Sequence, residues 1–177
     1  MVNNQSYKWV RLIAPIYLIL TLSVSGQNIS NKYSSSYQNN GMLYFIFPQN
    51  GFNNNKLGSK LDYDITYLTT KDTATLNFSY FEESNRKIDS IGFFNDVNNI
   101  TSRVKKIYIE TKKQKWHYRY STQISFIDLN KFFTPTDNAK IILYTKEENI
   151  TLSIKPSNWN KLASLTKKIL TLISSNK

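Results

Sequence analysis

The chain is expected to fold as a mainly β protein. About eight antiparallel strands in successive hairpins would form a small barrel or roll, or a two-layer sandwich, with one C-terminal amphipathic α-helix packed on the sheet. Three observations lead there. Apolar and polar residues alternate with period two through much of 42–155, which is the pattern of strands with one buried and one wet face. These alternating runs come in pairs joined by short polar connections. Only one stretch after the N-terminal region, 157–174, repeats its apolar residues at helical spacing.

Taken in order, residues 1–26 read as a secretory signal peptide. Lys8 and Arg11 precede the apolar run Leu12–Leu22, and Ser23-Val24-Ser25-Gly26 supplies the small residues of a cleavage site. The apolar run is shorter than the ~20 residues a spanning helix needs, and Pro15 lies inside it. Export to a periplasm or cell envelope is therefore expected. The absence of cysteine fits that setting only if a core, rather than disulfides, holds the fold, and about 150 residues suffice for one.

Residues 27–41 are polar, rich in Ser and Asn and without period, so a tether or disordered lead-in is expected before a single domain at 42–177. Met42–Phe47 reads as a first strand closed by a turn at Pro48-Gln49-Asn50-Gly51. Leu61, Tyr63, Ile65 and Tyr67 then alternate with polar residues, as do Ala74, Leu76, Phe78 and Tyr80, so the two runs form a hairpin through Thr69–Asp72. Lys87–Phe94 is a less regular strand, with Gly92 marking a bulge or a close contact. Asn95–Ser102 reads as loop.

The central hairpin is the most informative stretch. Ile107 and Ile109 alternate with Lys106, Tyr108 and Glu110; after Lys112–Lys115, Trp116, Tyr118, Tyr120, Ile124 and Phe126 alternate with polar residues. Directly opposed residues share a face, so odd-numbered isoleucines must meet even-numbered tyrosines. The simplest register puts Lys113-Gln114 at the tip and opposes Ile109 to Tyr118, Ile107 to Tyr120, Glu110 to His117 and Tyr108 to Arg119. Beyond it, Asp128–Phe133 is expected to make one helical turn. Ala139–Lys146 and Asn149–Lys155 form a third hairpin around Glu147-Glu148. Ile142 and Tyr144 make that hairpin apolar on its second face too, a surface for the helix to cover. Ser157 is the expected N-cap of that helix, whose stripe is Trp159, Leu162, Leu165, Ile169, Leu172 and Ile173.

The formal net charge is +11, and about +9 without Lys8 and Arg11. Positive charge peaks in the central hairpin. Its expected wet face makes Lys106, Lys112, Lys115, His117 and Arg119 the candidate anion-binding residues, for anionic lipid headgroups, envelope glycans or an envelope protein. Edge lysines also serve solubility alone. Export disfavours nucleic acid as partner. No catalytic or metal-binding set is assigned and no cofactor is expected: His117 is the only histidine, and no nucleophile motif accompanies it. A non-catalytic accessory or binding module is thus expected. The alternatives are a barrel carrying an apolar ligand among Tyr63, Phe78, Tyr118 and Tyr120, and a hydrolase using carboxylates or His117 with Glu110 as its orienting partner. The paired acids Glu82-Glu83 and Glu147-Glu148 read as turn-forming and solubilising, and Asp62 and Asp64 as the wet side of a strand.

Overall fold

Two-residue turns set the strand registers at two places where the backbone is left-handed at both positions. Asn39 and Asn40 have φ of 48° and 60°, and Lys113 and Gln114 have φ of 52° and 61°. Positive φ at both central residues is the type I′ geometry, whose twist matches that of paired strands. The computed structural model in which these turns are seen describes residues 29–176. The expected signal peptide at 1–26 lies outside the described residues. The chain divides into two units, Met1–Lys32 and Tyr33–Lys177. Of the first, only residues 29–32 are described, a turn in which Lys32 N–H donates to Ile29 O at 3.0 Å.

The second unit contains ten antiparallel strands: β1 (Tyr33–Gln38), β2 (Gly41–Asn54), β3 (Ser59–Leu68), β4 (Thr73–Glu82), β5 (Ile88–Asn95), β6 (Asn98–Arg103), β7 (Lys105–Lys112), β8 (Lys115–Ser125), β9 (Ala139–Thr145) and β10 (Asn149–Ser153). Helix α1 (Phe126–Phe132) separates β8 from β9, and α2 (Pro156–Ser175) ends the described chain. The sheet runs β6-β5-β9-β10-β2-β3-β4-β8-β7, with β1 paired to β2 off this path. It curls into a half-barrel against which α2 packs. The mainly β, antiparallel class with a C-terminal helix is therefore what the chain adopts.

Two strands were not foreseen. Tyr33–Gln38 lies within the segment expected to be a tether, yet it forms β1, because the Asn39-Asn40 turn folds it back on β2 with Gln38 opposite Gly41. Five of its six residues are exposed, so it carries no apolar signature. Asn98–Arg103, expected to be loop, pairs with β5 as β6. Strand β6 passes into β7 through Val104 alone, so the two ends of the sheet path are consecutive in sequence. The hydroxyl of Ser102 donates to Gln123 O at 3.0 Å and that of Thr122 to Arg103 O at 2.9 Å, drawing β6 towards β8.

The turn expected at Pro48–Gly51 is instead a double irregularity inside one long strand. Pairing of β2 with β3 shifts between Ile46 and Gln49 and again between Asn50 and Phe52. Proline cannot donate to the ladder, and Gly51 has φ of 135°, so the bulges fall where the backbone requires them. Before the bend β2 pairs with β1; after it, Asn53 meets Ser153 of β10.

The concave face collects the residues whose parity marked them as core. Leu61, Tyr63 and Ile65 oppose Tyr80, Phe78 and Leu76, and Phe78 and Tyr80 oppose Tyr120 and Tyr118. All are buried. On the third hairpin Ile150 and Leu152 oppose Leu143 and Ile141, also buried. Helix α1 continues this interior: its N-cap Ser125 accepts from Asp128 N–H at 3.0 Å, and Phe126, Leu129 and Phe132 face inward.

Helix α2 corrects two expectations. Its N-cap is Lys155, without a side-chain hydrogen bond, and Pro156 begins the helix where its missing N–H is harmless; Ser157 caps nothing. Its cover is not the Ile142–Tyr144 face. Trp159 packs on Phe52, Phe132 and Phe133, and Phe132 packs on Phe93, which pairs with Ile141. The helix thus closes the concave side. Its buried stripe is Trp159, Leu162, Ala163, Thr166, Ile169, Leu170 and Ile173, with Leu165 and Leu172 at the margin. Ile142 and Tyr144 stay half-buried on the outer face, where the rings of Phe94 and Tyr144 close over Gly92. Among the described residues no helix is long and apolar enough to cross a membrane.

Lys113 and Gln114 hold a conformation that costs a side chain with Cβ about 1 kcal/mol or more per residue. Replacing them together, Lys113→Asn with Gln114→Gly, should raise stability by about 1 kcal/mol. Urea unfolding at unchanged m-value is the measurement; a loss of stability would refute the type I′ assignment.

Candidate functional site

The tip of the central hairpin has the expected register: Lys112 opposes Lys115, Glu110 opposes His117, Ile109 opposes Tyr118 and Tyr108 opposes Arg119. A bulge then intervenes between Lys106 and Tyr108, so Lys106 rather than Ile107 meets Tyr120. Ile107 is left 54% exposed. The extra residue at 107 breaks the parity that was to carry Ile107 into the core.

The outward face of this hairpin is not uniformly wet, which corrects the expected anion-binding set. His117 is only 5% exposed. Its ring stacks on Phe81 with centroids 4.2 Å apart and meets the edge of Tyr108 at 5.3 Å. Its Nδ1 donates to Glu110 Oε1 at 2.8 Å, and Nε2 is buried without a protein partner. The predicted cross-strand pairing is present, but the aromatic walls close it off.

Arg119 is likewise engaged. It forms an ion pair with Asp64 two strands away, and its Nη1 donates to Ser79 Oγ at 3.1 Å on the strand between. Asp64 is 3% exposed and also accepts from Asn77 Nδ2 at 3.0 Å. Its carboxylate, expected on a wet face, is covered by the guanidinium lying across β4. Lys115 Nζ donates to Gly58 O at 3.0 Å and stands 4.0 Å from Glu83. Lys106 and Lys112 are exposed and have no ion pair among the described residues, and the same holds for Lys105 and Lys113. Of the five nominated groups, then, two remain free cations, one is tethered and two are structural.

Two surface cavities stand out among the described residues. The larger, about 860 Å³, lies between the β5–β6 turn, residues 137–140 and the β10–α2 junction. Much of its polar lining already holds the fold together. Asp96 accepts from the backbone of Asp137 and Asn138, and the amides of Asn95 and Asn98 donate to carbonyls of α1. The smaller, about 210 Å³, lies between the β2–β3 loop and the β4–β5 loop. Glu82 lines it, at 2% exposure, which corrects the solubilising role expected of that residue.

Glu82 is held by the tyrosines of the concave face. Tyr80 OH donates to Glu82 Oε2 at 3.0 Å, and Arg86 Nε lies 3.9 Å from the same oxygen. Arg86 also forms an ion pair with Glu148. Tyr118 OH accepts from Arg86 N–H at 2.8 Å and lies 3.0 Å from Ser84 O, to which it donates. Burial pushes the Tyr118 hydroxyl up to about 12, so it stays a neutral donor. Burial likewise raises the Glu82 carboxyl above its ordinary 4.5; Tyr80 and Arg86 oppose that rise, while Glu148 and Glu147 add to it. The sequence signal for Glu82 was its parity with Tyr80 on one strand face.

Removing Arg119 leaves the Asp64 carboxylate buried and unpaired. Arg119→Met should cost about 3 kcal/mol, and Asp64→Asn added to it should restore part of the loss; thermal unfolding of single and double variants checks this. For Glu82, a raised folded pKa means stability is full below the unfolded value and falls as pH rises through the folded one. Glu82→Gln should match the parent in stability below pH 4.5 and exceed it at neutral pH, as read from urea midpoints across that range. No known protein family, curated protein or solved structure matches this chain.

Proposed function

We propose that the chain is an exported, non-catalytic binding or accessory module of a cell envelope. It meets anionic lipid headgroups or anionic glycan through the lysine edge of β7 and its turn. One observation carries this reading: β7 is an edge strand of which every residue except Ile109 is exposed. It presents Lys105, Lys106 and Lys112 beside Lys113 with no acidic partner among the described residues. The leader-like composition of 1–26 supports export, and a net charge of about +9 without Lys8 and Arg11 favours an anionic surface as partner. His117 and Arg119 drop out of the contact set, because their charges and rings are committed inside the sheet.

Neither the apolar-ligand carrier nor a hydrolase built on His117 gains anything from the geometry. Tyr63, Phe78, Tyr118 and Tyr120 are buried against one another and against Phe133, and line neither cavity. His117 lines neither cavity, so no substrate reaches its ring by that route. Lysines and a bulge on an edge strand also discourage pairing with a second chain, and a binding measurement separates the two roles. Each lysine near an anionic bilayer is worth about 1 kcal/mol. The double change Lys106→Glu with Lys112→Glu should therefore weaken sedimentation with phosphatidylglycerol vesicles at low salt by about tenfold or more. Unchanged sedimentation, or none by the unaltered protein, would overturn the proposal.

A further inference from the structure

We propose that the small cavity beside Glu82 is a binding site for one neutral saccharide ring, held through adjacent hydroxyls by Glu82 and Arg86. The cavity belongs to two loops that the structure pins from both sides. On one wall Lys115 Nζ donates to Gly58 O at 3.0 Å, and Gly58 sits at φ of 58°, a position that favours glycine. On the other, Tyr118 holds Ser84 and Arg86 through their backbone, and Tyr120 OH accepts from Ile88 N–H at 3.3 Å. A site fixed before binding loses little freedom when a ligand enters.

The lining dictates the chemistry. Glu82 Oε2 has Tyr80 as donor, but Oε1 is buried with no protein partner. An oxygen in that position is stabilised by an incoming O–H or N–H. Around it stand two cations, Lys56 and Arg86, and a second carboxylate, Glu83. The lining is thus balanced in charge, two against two, which favours neither a simple anion nor a simple cation. What fits is a group that gives a hydrogen bond to a carboxylate and takes one from a guanidinium or ammonium at once. A hydroxyl does both, and neighbouring hydroxyls on one ring do so with their directions already set. At about 210 Å³ the space is below the roughly 300–1,000 Å³ of sites for drug-sized ligands, so a single small ring is the unit it takes.

This site is separate from the lysine edge, and the test keeps them apart. The folded chain is titrated with the methyl glycosides of glucose, galactose, mannose and N-acetylglucosamine while backbone amide resonances are followed by NMR. At least one glycoside should shift the amides of 56–58 and 83–86 saturably. Glu82→Gln should weaken that binding about tenfold, the worth of one hydrogen bond to a charged group. Lys56→Ala, on an exposed loop, should weaken it several-fold, and tests the site without touching a buried group. The Lys106→Glu, Lys112→Glu protein should bind the glycoside unchanged. No saturable shift from any of the four sugars, or displacement of these amides by butylammonium or phosphate instead, would overturn the assignment.

Discussion

A curled sheet with an aromatic concave face needs something to fill it, and the rest of this structure depends on how Trp159 does so. The indole is fully buried against Phe52, Phe132 and Phe133, joining β2, the end of α1 and the start of α2 in one contact. Its Nε1 donates to Thr136 Oγ1 at 3.1 Å, so burial leaves no orphaned donor. Burying a side chain of this size is worth several kcal/mol, of order 3–5 when it is truncated. That is a large share of the margin by which a single domain is stable. With it in place, Phe132 can pack on Phe93, and the two halves of the sheet share one core.

The sheet itself is continuous only by narrow links. Between β10 and β2 the ladder is the single pair Ser153–Asn53, with Asn54 Nδ2 donating to Thr151 O at 3.0 Å beside it. On the far side the chain crosses from β6 to β7 at Val104, whose N–H donates to Asp89 O at 3.2 Å. The bulges of β2 supply the bend, and the single-residue crossing returns the strand to the other edge. Side-chain packing inside, rather than an unbroken ladder, therefore unites the halves.

Polar groups on this scaffold divide into those spent on the fold and those left over. The tyrosine hydroxyls of β8 reach beyond the core to hold residues 84–88, while the rings below them pack. The Asp64–Arg119 pair and the Glu110–His117 pair seal the outer face of β3, β4 and β8. Among the groups left over are the lysine edge of β7 and one oxygen of Glu82. The first is a diffuse field at the surface; the second is a directional acceptor on a residue that lines a small cavity, and such groups discriminate between ligands more sharply.

Much of this was legible in residue order. Alternation in Leu61–Tyr67, Ala74–Tyr80 and Trp116–Phe126 assigned strands and core tyrosines, and the parity rule found the Glu110–His117 pairing, because strand period and antiparallel opposition are local geometry. Strands β1 and β6 were not legible, since their residues are largely exposed and their pairing comes from a turn and from neighbours far along the chain. Nor was the burial of His117, Asp64 and Glu82. Alternation says which face a side chain leaves by, whereas what lies over that face depends on sheet curl, on the reach of Arg119 across β4 and on the loops that close above Glu82. The sequence by itself therefore determined the class, the register at the tip of the central hairpin and most of the interior. Only the tertiary structure decided which charges are free, because a charge is free or bound according to neighbours up to dozens of residues away in the chain.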